Sequence, residues 1–116
     1  MKVFTQSATL ATGVAETFKL RKSTSDPDAP TIFQPPEHLT MWLVDSAGKR
    51  RAYPCVPVGS PQGNVVTLVA QALPVALRSI TRYEVTDARG NMIAWCSLDE
   101  AWNFAAGERP ACTLEI

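Results

Sequence analysis

Ser97-Leu98-Asp99-Glu100-Ala101-Trp102-Asn103-Phe104-Ala105-Ala106-Gly107 is the stretch on which the fold class turns. Its punctuation reads as a helix. Ser97 and Glu100 have the spacing of a capping box, in which each side chain satisfies a backbone N–H at a helix start. Leu98, Ala101, Trp102 and Ala105 follow at helical spacing, a stripe able to seal against a sheet. Gly107 supplies the stop and Pro110 reinforces it. On this reading Trp102 contributes about 2–3 kcal/mol by burial, and Ala101→Pro is damaging because it breaks the helical backbone.

Working outward, the flanks read as strands. Val75–Thr86 runs extended into the turn Asp87-Ala-Arg-Gly90, Asn91–Trp95 returns, and Cys112–Ile116 forms a last strand. Upstream, Leu39-Thr-Met-Trp-Leu-Val-Asp45 alternates apolar side chains and enters a second turn, Asp45-Ser-Ala-Gly48. Lys49–Val58 is its return, and Pro54 and Pro57 make its end irregular or place it at an edge. Val65–Leu73 begins with β-branched residues and ends Ala-rich; with Asn64 as cap and Pro74 beyond, it reads as a short helix. Residues 2–22 alternate as two short strands about Thr12-Gly13, and residues 23–37, with four prolines, form a surface loop that Ile32 and Phe33 pin to the body. The fold expected is α+β: a twisted, mainly antiparallel sheet with one or two helices packed on one face, in a single domain spanning 1–116.

The two turns echo each other. Leu43-Val-Asp-Ser-Ala-Gly48, with Tyr53 beyond, aligns with Val85-Thr-Asp-Ala-Arg-Gly90, with Trp95 beyond, at a displacement of 42 residues. Convergence on one hairpin grammar explains this, as does a structural repeat; only the repeat predicts pseudo-symmetry.

Eleven basic residues balance eleven acidic ones, and neither half departs far from neutrality: seven against five in residues 1–58, four against six in 59–116. Affinity for a phosphate backbone through overall charge is therefore not expected. Cys55, Cys96 and Cys112 are odd in number and lack a Cys-x-x-Cys pair, which argues against a disulfide framework or a cysteine-rich zinc site. Without an export-signal pattern or 18 consecutive apolar residues, a cytoplasmic location is expected, with no membrane contact.

No motif assembles a reaction. Cys96, just before the expected helix N-terminus, is the candidate thiolate of a cysteine-dependent enzyme or redox sensor, with His38 the only histidine to act as base. No cofactor or metal is expected: Asp26 and Asp28 lack a calcium-loop pattern, Asp99 and Glu100 suit a helix start, and Gly59-Ser-Pro-Gln-Gly63 lacks the lysine of a phosphate loop. Lys49-Arg50-Arg51 is the candidate interaction run, with Ile32 and Phe33 of the loop. Lys19, Arg21, Lys22, Arg78 and Arg82 could extend a nucleic-acid contact, Arg78 and Arg82 by sharing strand parity. Tyr53 and Trp95 pack a sheet as readily as they stack on bases. Trp42, on the parity opposite Leu39, Met41 and Leu43, is expected in the core, with a place under a second layer or in an interface as the alternative. The expected function is a small non-enzymatic protein-interaction module (adaptor, subunit or inhibitor), with a sheet edge open to a second copy. Nucleic-acid binding through residues 49–51 and cysteine chemistry at Cys96 are the alternatives.

Overall fold

A computed structural model describes residues 2–6, 8–11, 38–58 and 65–115. Among these residues there are eight strands: β1 (Lys2–Phe4), β2 (Thr9–Leu10), β3 (Leu39–Asp45), β4 (Arg50–Val58), β5 (Val65–Ala70), β6 (Leu77–Thr86), β7 (Met92–Phe104) and β8 (Pro110–Glu115). They form one curled half-barrel in the order β1-β8-β5-β4-β3-β6-β7-β2. Every pairing is antiparallel except that of β1 with β8.

No helix occurs among the described residues. The α+β expectation is therefore corrected to all-β. The stretch from Ser97 to Phe104 is part of the thirteen-residue strand β7. Residues four apart satisfy a period of two as well as one of 3.6. Leu98, Trp102 and Phe104 share the inward parity of Ala94 and Cys96, and they pack on the core, whereas Ala105 is exposed. Between Ile80↔Trp102 and Arg82↔Ser97, four residues of β7 (Leu98, Asp99, Glu100 and Ala101) oppose one of β6 (Thr81). Asp99, Glu100 and Ala101 occupy the exposed part of that bulge, where they resemble a polar helix start. Gly107 instead sits in a turn at φ 87, with the Glu108 N–H donating to the Ala105 carbonyl.

Val65–Ala70 is likewise a strand, not a helix. It pairs with β4 on one side and β8 on the other, and Val66, Leu68 and Ala70 face inward. Its β-branched residues suit a pleated surface paired on both sides. Nor does β4 lie at an edge: β3 and β5 flank it. Both prolines put their missing donor where a ladder has ended. Pro54 forms a bonded pair with Gln71, one residue past β5, and Pro57 faces β3 beyond the Leu39↔Cys55 pair.

The two expected hairpins are present, and their turns match bond for bond. Asp45 Oδ1 accepts from the N–H groups of Ala47 and Lys49, as Asp87 Oδ1 does from those of Arg89 and Asn91, each at 2.9 Å. Gly48 and Gly90 close the turns at φ 83 and 82, the left-handed conformation glycine adopts without strain. The β3–β6 register extends the echo. Met41 pairs with Val85 and Leu43 with Tyr83; Thr40 pairs with Thr86 and Val44 with Arg82. Adding 42 to one member of each pair, and subtracting it from the other, yields the next pair. The β3–β6 pairing thus has a local pseudo-twofold axis through Trp42 and Glu84, but the echo is not kept throughout. A register shift between Val85 and Thr86 sets Trp95 outward beside Glu84, whereas its counterpart Tyr53 faces inward beside Met41.

The core fills the concave side. Phe4 is fully buried, stacked on Tyr83 at 4.4 Å and edge-on to Phe104 at 5.5 Å, with Met41, Leu43, Leu68 and Leu114 around the same interior. The segment 12–37, with its proline-rich loop and Ile32 and Phe33, lies outside the described residues, as do Lys19, Arg21, Lys22 and 59–64.

Candidate functional site

Strand alternation divides the basic run. Arg50 pairs with Val44 and points outward, whereas Arg51 pairs with Leu43 on the inward parity. The outward face of the central strands is built in two rows. Ala52, Trp42, Glu84, Trp95 and Thr9 lie side by side across β4, β3, β6, β7 and β2; Arg50, Val44, Arg82 and Ser97 form the adjacent row. Glu84 therefore sits between two indoles, with an arginine reaching it from either side.

The Arg50 guanidinium crosses β3 at 4.4 Å from the Trp42 ring centroid, and its Nη2 donates to Glu84 Oε1 at 2.6 Å. Arg82 stacks on Trp95 at 4.6 Å and donates from Nε to Glu84 Oε2 at 2.8 Å. Trp42 Nε1 donates to Thr86 Oγ1 at 2.9 Å, which fixes the indole plane. The Glu84 side chain is 10% exposed, against 47% for Arg50 and 32% for Arg82. Burial pushes the carboxyl pKa up, but hydrogen bonds from Arg82 and Arg50 outweigh it and hold the group below its ordinary value. Chemically this is a rigid platform of two immobilised, planar cations over aromatic rings, with one carboxylate offsetting one of the two charges. Each guanidinium has five N–H donors, and Glu84 takes only one from each.

A second group lies at the hairpin tip. Lys49, Arg51 and Arg78 line a cleft of about 60 Å³ with Asp45, Leu43 and Leu77. A bulge explains why Arg78 parts from Arg82 despite their even spacing. Ser79 has φ 59, and Leu77↔Phe104 followed by Ile80↔Trp102 inserts one residue, so parity is not kept across it. The expected basic set is thus split: Arg50 and Arg82 face outward, and Lys49, Arg51 and Arg78 line the tip cleft.

Cys96 lies mid-strand, so the helix terminus expected to favour its thiolate does not exist. Its Sγ donates to the Ser97 carbonyl at 3.5 Å, and burial raises the thiol's pKa. His38 precedes β3, five residues from Leu43, whose cross-strand partner Tyr83 pairs with Cys96. At about 3.3 Å per residue that is roughly 17 Å along the strand. Cys55 is pushed up to about 12 by burial, and Cys112 is raised for the same reason. Among the described residues no cluster of three His, Cys, Asp or Glu could hold a metal ion, and no helix is long and apolar enough to cross a membrane.

Glu84 escapes a reading of the sequence because it is one carboxylate in a polar strand. Its signal was the even parity of Arg82, Glu84 and Thr86, opposite Tyr83 and Val85, and only the β3–β6 register places Trp42 beside it. Comparison with known proteins adds no relative to this geometry: no family model, characterised protein or solved structure matches the chain.

Proposed function

We propose that the protein is a small all-β interaction module, and that it docks a protein partner on the outward face carrying Trp42, Arg50, Glu84, Arg82 and Trp95. The observation that carries this reading is the double clamp on each arginine, a tryptophan ring beneath and Glu84 beside it. Arginine and tryptophan dominate the energetics of protein interfaces. A side chain already ordered also gives up little rotamer freedom on binding, about 0.5–1.5 kcal/mol less per residue than a mobile one. Acceptors suited to the remaining guanidinium donors are carboxylates and backbone carbonyls on the partner.

The test is affinity capture from native lysate, with and without nuclease, comparing the wild-type chain with Trp95→Ala and Arg50→Ala. The expected result is one protein retained after nuclease by the wild type and depleted at least tenfold by either variant. Equal recovery by all three chains overturns the reading.

A second reading has its own observation, the convergence of Lys49, Arg51 and Arg78 on one cleft. It makes the hairpin tip a contact for phosphate groups of a nucleic acid. Affinity for DNA or RNA that falls steeply with salt, and is lost on neutralising Lys49, Arg51 and Arg78 while Arg50→Ala leaves it unchanged, is its expected signature.

A further inference from the structure

The outermost strands at both ends of the sheet come from one segment of nine residues. β1 pairs with β8 at one edge, and β2 pairs with β7 at the other, with only Thr5–Ala8 between them in sequence. The remaining six strands, β8-β5-β4-β3-β6-β7, form a continuous antiparallel body. Among the described residues, that body without residues 2–10 has two unpaired edges and an aromatic socket where Phe4 had packed against Tyr83, Trp102 and Phe104.

Among the described residues the segment is held by dispersed contacts. Its ladders comprise three register pairs with β8 and two with β7. Tyr83 donates its hydroxyl to the Gln6 carbonyl at 3.0 Å, and the Asp99 N–H donates to Gln6 Oε1 at 3.0 Å. The Lys2 ammonium lies over the rings of Trp102 and Phe104 and donates to the Asn103 carbonyl. All of these join residues 2–6 and 8–11 to the six-strand body, and none requires the two to belong to one chain.

The length of the connection to the body is the second observation. Twenty-eight residues separate Leu10 from Leu39. In the sheet, β2 lies three strands from β3, about 14 Å at ~4.8 Å per strand. Four or five residues span that distance, whereas twenty-eight reach roughly 95 Å when extended. The covalent path thus leaves the segment able to reach the body of another molecule.

We propose that residues 2–10 are an exchangeable arm, and that the partner they fit is a second copy of this chain. In the exchanged state β1 and β2 of one molecule complete the two edges of its neighbour, and Phe4 fills the neighbour's socket. Each copy forms the contacts of the closed monomer, so exchange is governed by concentration and by the rate at which the arm opens. It concerns the sheet edges and core, and although Thr9 of β2 borders Trp95 the arm supplies none of Trp42, Arg50, Glu84, Arg82 and Trp95, so either proposal stands if the other fails.

Two mixing experiments on full-length chains test it. Val3 and Ala111 are partners in the β1–β8 register. Unlabelled Val3→Cys is mixed at high concentration with isotope-labelled Ala111→Cys, incubated, oxidised and digested. The expected result is a mixed-isotope peptide joining positions 3 and 111, at least tenfold above a control in which Asn91→Cys, on an exposed turn, replaces Ala111→Cys. Independently of disulfide geometry, Val3→Cys carrying a spin label is mixed with isotope-labelled wild-type chain. The expected result is selective broadening of the Ala111, Cys112 and Thr113 amide signals. A cross-link no stronger than the control, together with unbroadened β8 signals, overturns the proposal.

Discussion

Replacing Glu84 with Gln tests the centre of the candidate site, because one side chain orders two arginines. Gln keeps the shape but offers a single carbonyl acceptor. Its amide then presents donors to the other guanidinium, so at least one of the two charge-assisted bonds is lost. Hydrogen bonds to a charged group contribute about 1.5–3 kcal/mol each in buried settings. Here the Arg50 side chain is 47% exposed and Arg82 is 32% exposed, so solvent screens both. Relief of burying the carboxylate offsets a further part. The expected net destabilisation at pH 7 is about 1–2 kcal/mol, read from urea unfolding followed by tryptophan fluorescence. The pH dependence has a definite sign. The native carboxyl has a lowered pKa, so its contribution is complete above the unfolded value, near 4.5, and fades as pH falls through the native one. Wild type should therefore lose stability more steeply than Glu84→Gln below about pH 4.5, and the two curves should converge in acid. A variant as stable as wild type at pH 7, with the same acid limb, refutes the claim that Glu84 organises this face.

Three further outcomes follow from the same structure. Phe4→Ala empties the aromatic socket and should cost roughly 3–5 kcal/mol; hydrogen exchange should show β1 and β2 losing protection before the central strands. Gly48→Ala and Gly90→Ala meet open space but force a side chain into left-handed backbone. Each should cost about 1–2 kcal/mol in urea titrations, with similar values because the turns are equivalent. The thiols of Cys55, Cys96 and Cys112 all have raised pKa values, so the native chain holds protons that the unfolded chain releases above pH 9. Stability should fall by about 1.4 kcal/mol per pH unit for Cys55 as pH rises from 9 towards 12, with Cys96 and Cys112 adding in the same direction, and each contribution should be lost where that Cys is replaced by Ala.

What the sequence disclosed was its local punctuation. The turns at Asp45–Gly48 and Asp87–Gly90 were legible because Asp and Gly act on backbone groups within four residues of themselves. Strands β3 and β6 were legible for a related reason, since their alternation is short-range. The helices expected at Ser97–Gly107 and Val65–Leu73 failed where two periods overlap. Leu98 and Trp102, four apart, fit both a helix stripe and one face of a strand, and only Phe104, two further on, continues the strand series. A cap-like Ser97 and Glu100 then weighed towards the helix, although β7 uses them at a bulge.

The candidate site was legible by residue type but not by grouping. Lys49, Arg50 and Arg51 read as one patch because they adjoin in sequence, yet adjacency in a strand separates side chains onto opposite faces. Arg78 and Arg82 read as one face because they are four apart, yet the Ser79 bulge intervenes. What unites Arg50 with Arg82 is Glu84, thirty-four residues from the first and two from the second, and the bridge exists only because β3 lies between β4 and β6. The internal echo was the one sequence feature that carried this long-range information. A displacement of 42 residues maps Trp42 onto Glu84, and the register pairs those same two positions. An indole and a carboxylate at equivalent places in two hairpins are a departure from the repeat. That departure supplies both halves of the clamp: the ring over which Arg50 lies and the acceptor to which it donates. Restoring symmetry by Glu84→Trp should therefore leave both hairpin turns intact and release Arg50 from its acceptor, whereas Trp42→Glu, which keeps Glu84 and sets a second carboxylate beside it, should keep Arg50 on the face without its ring.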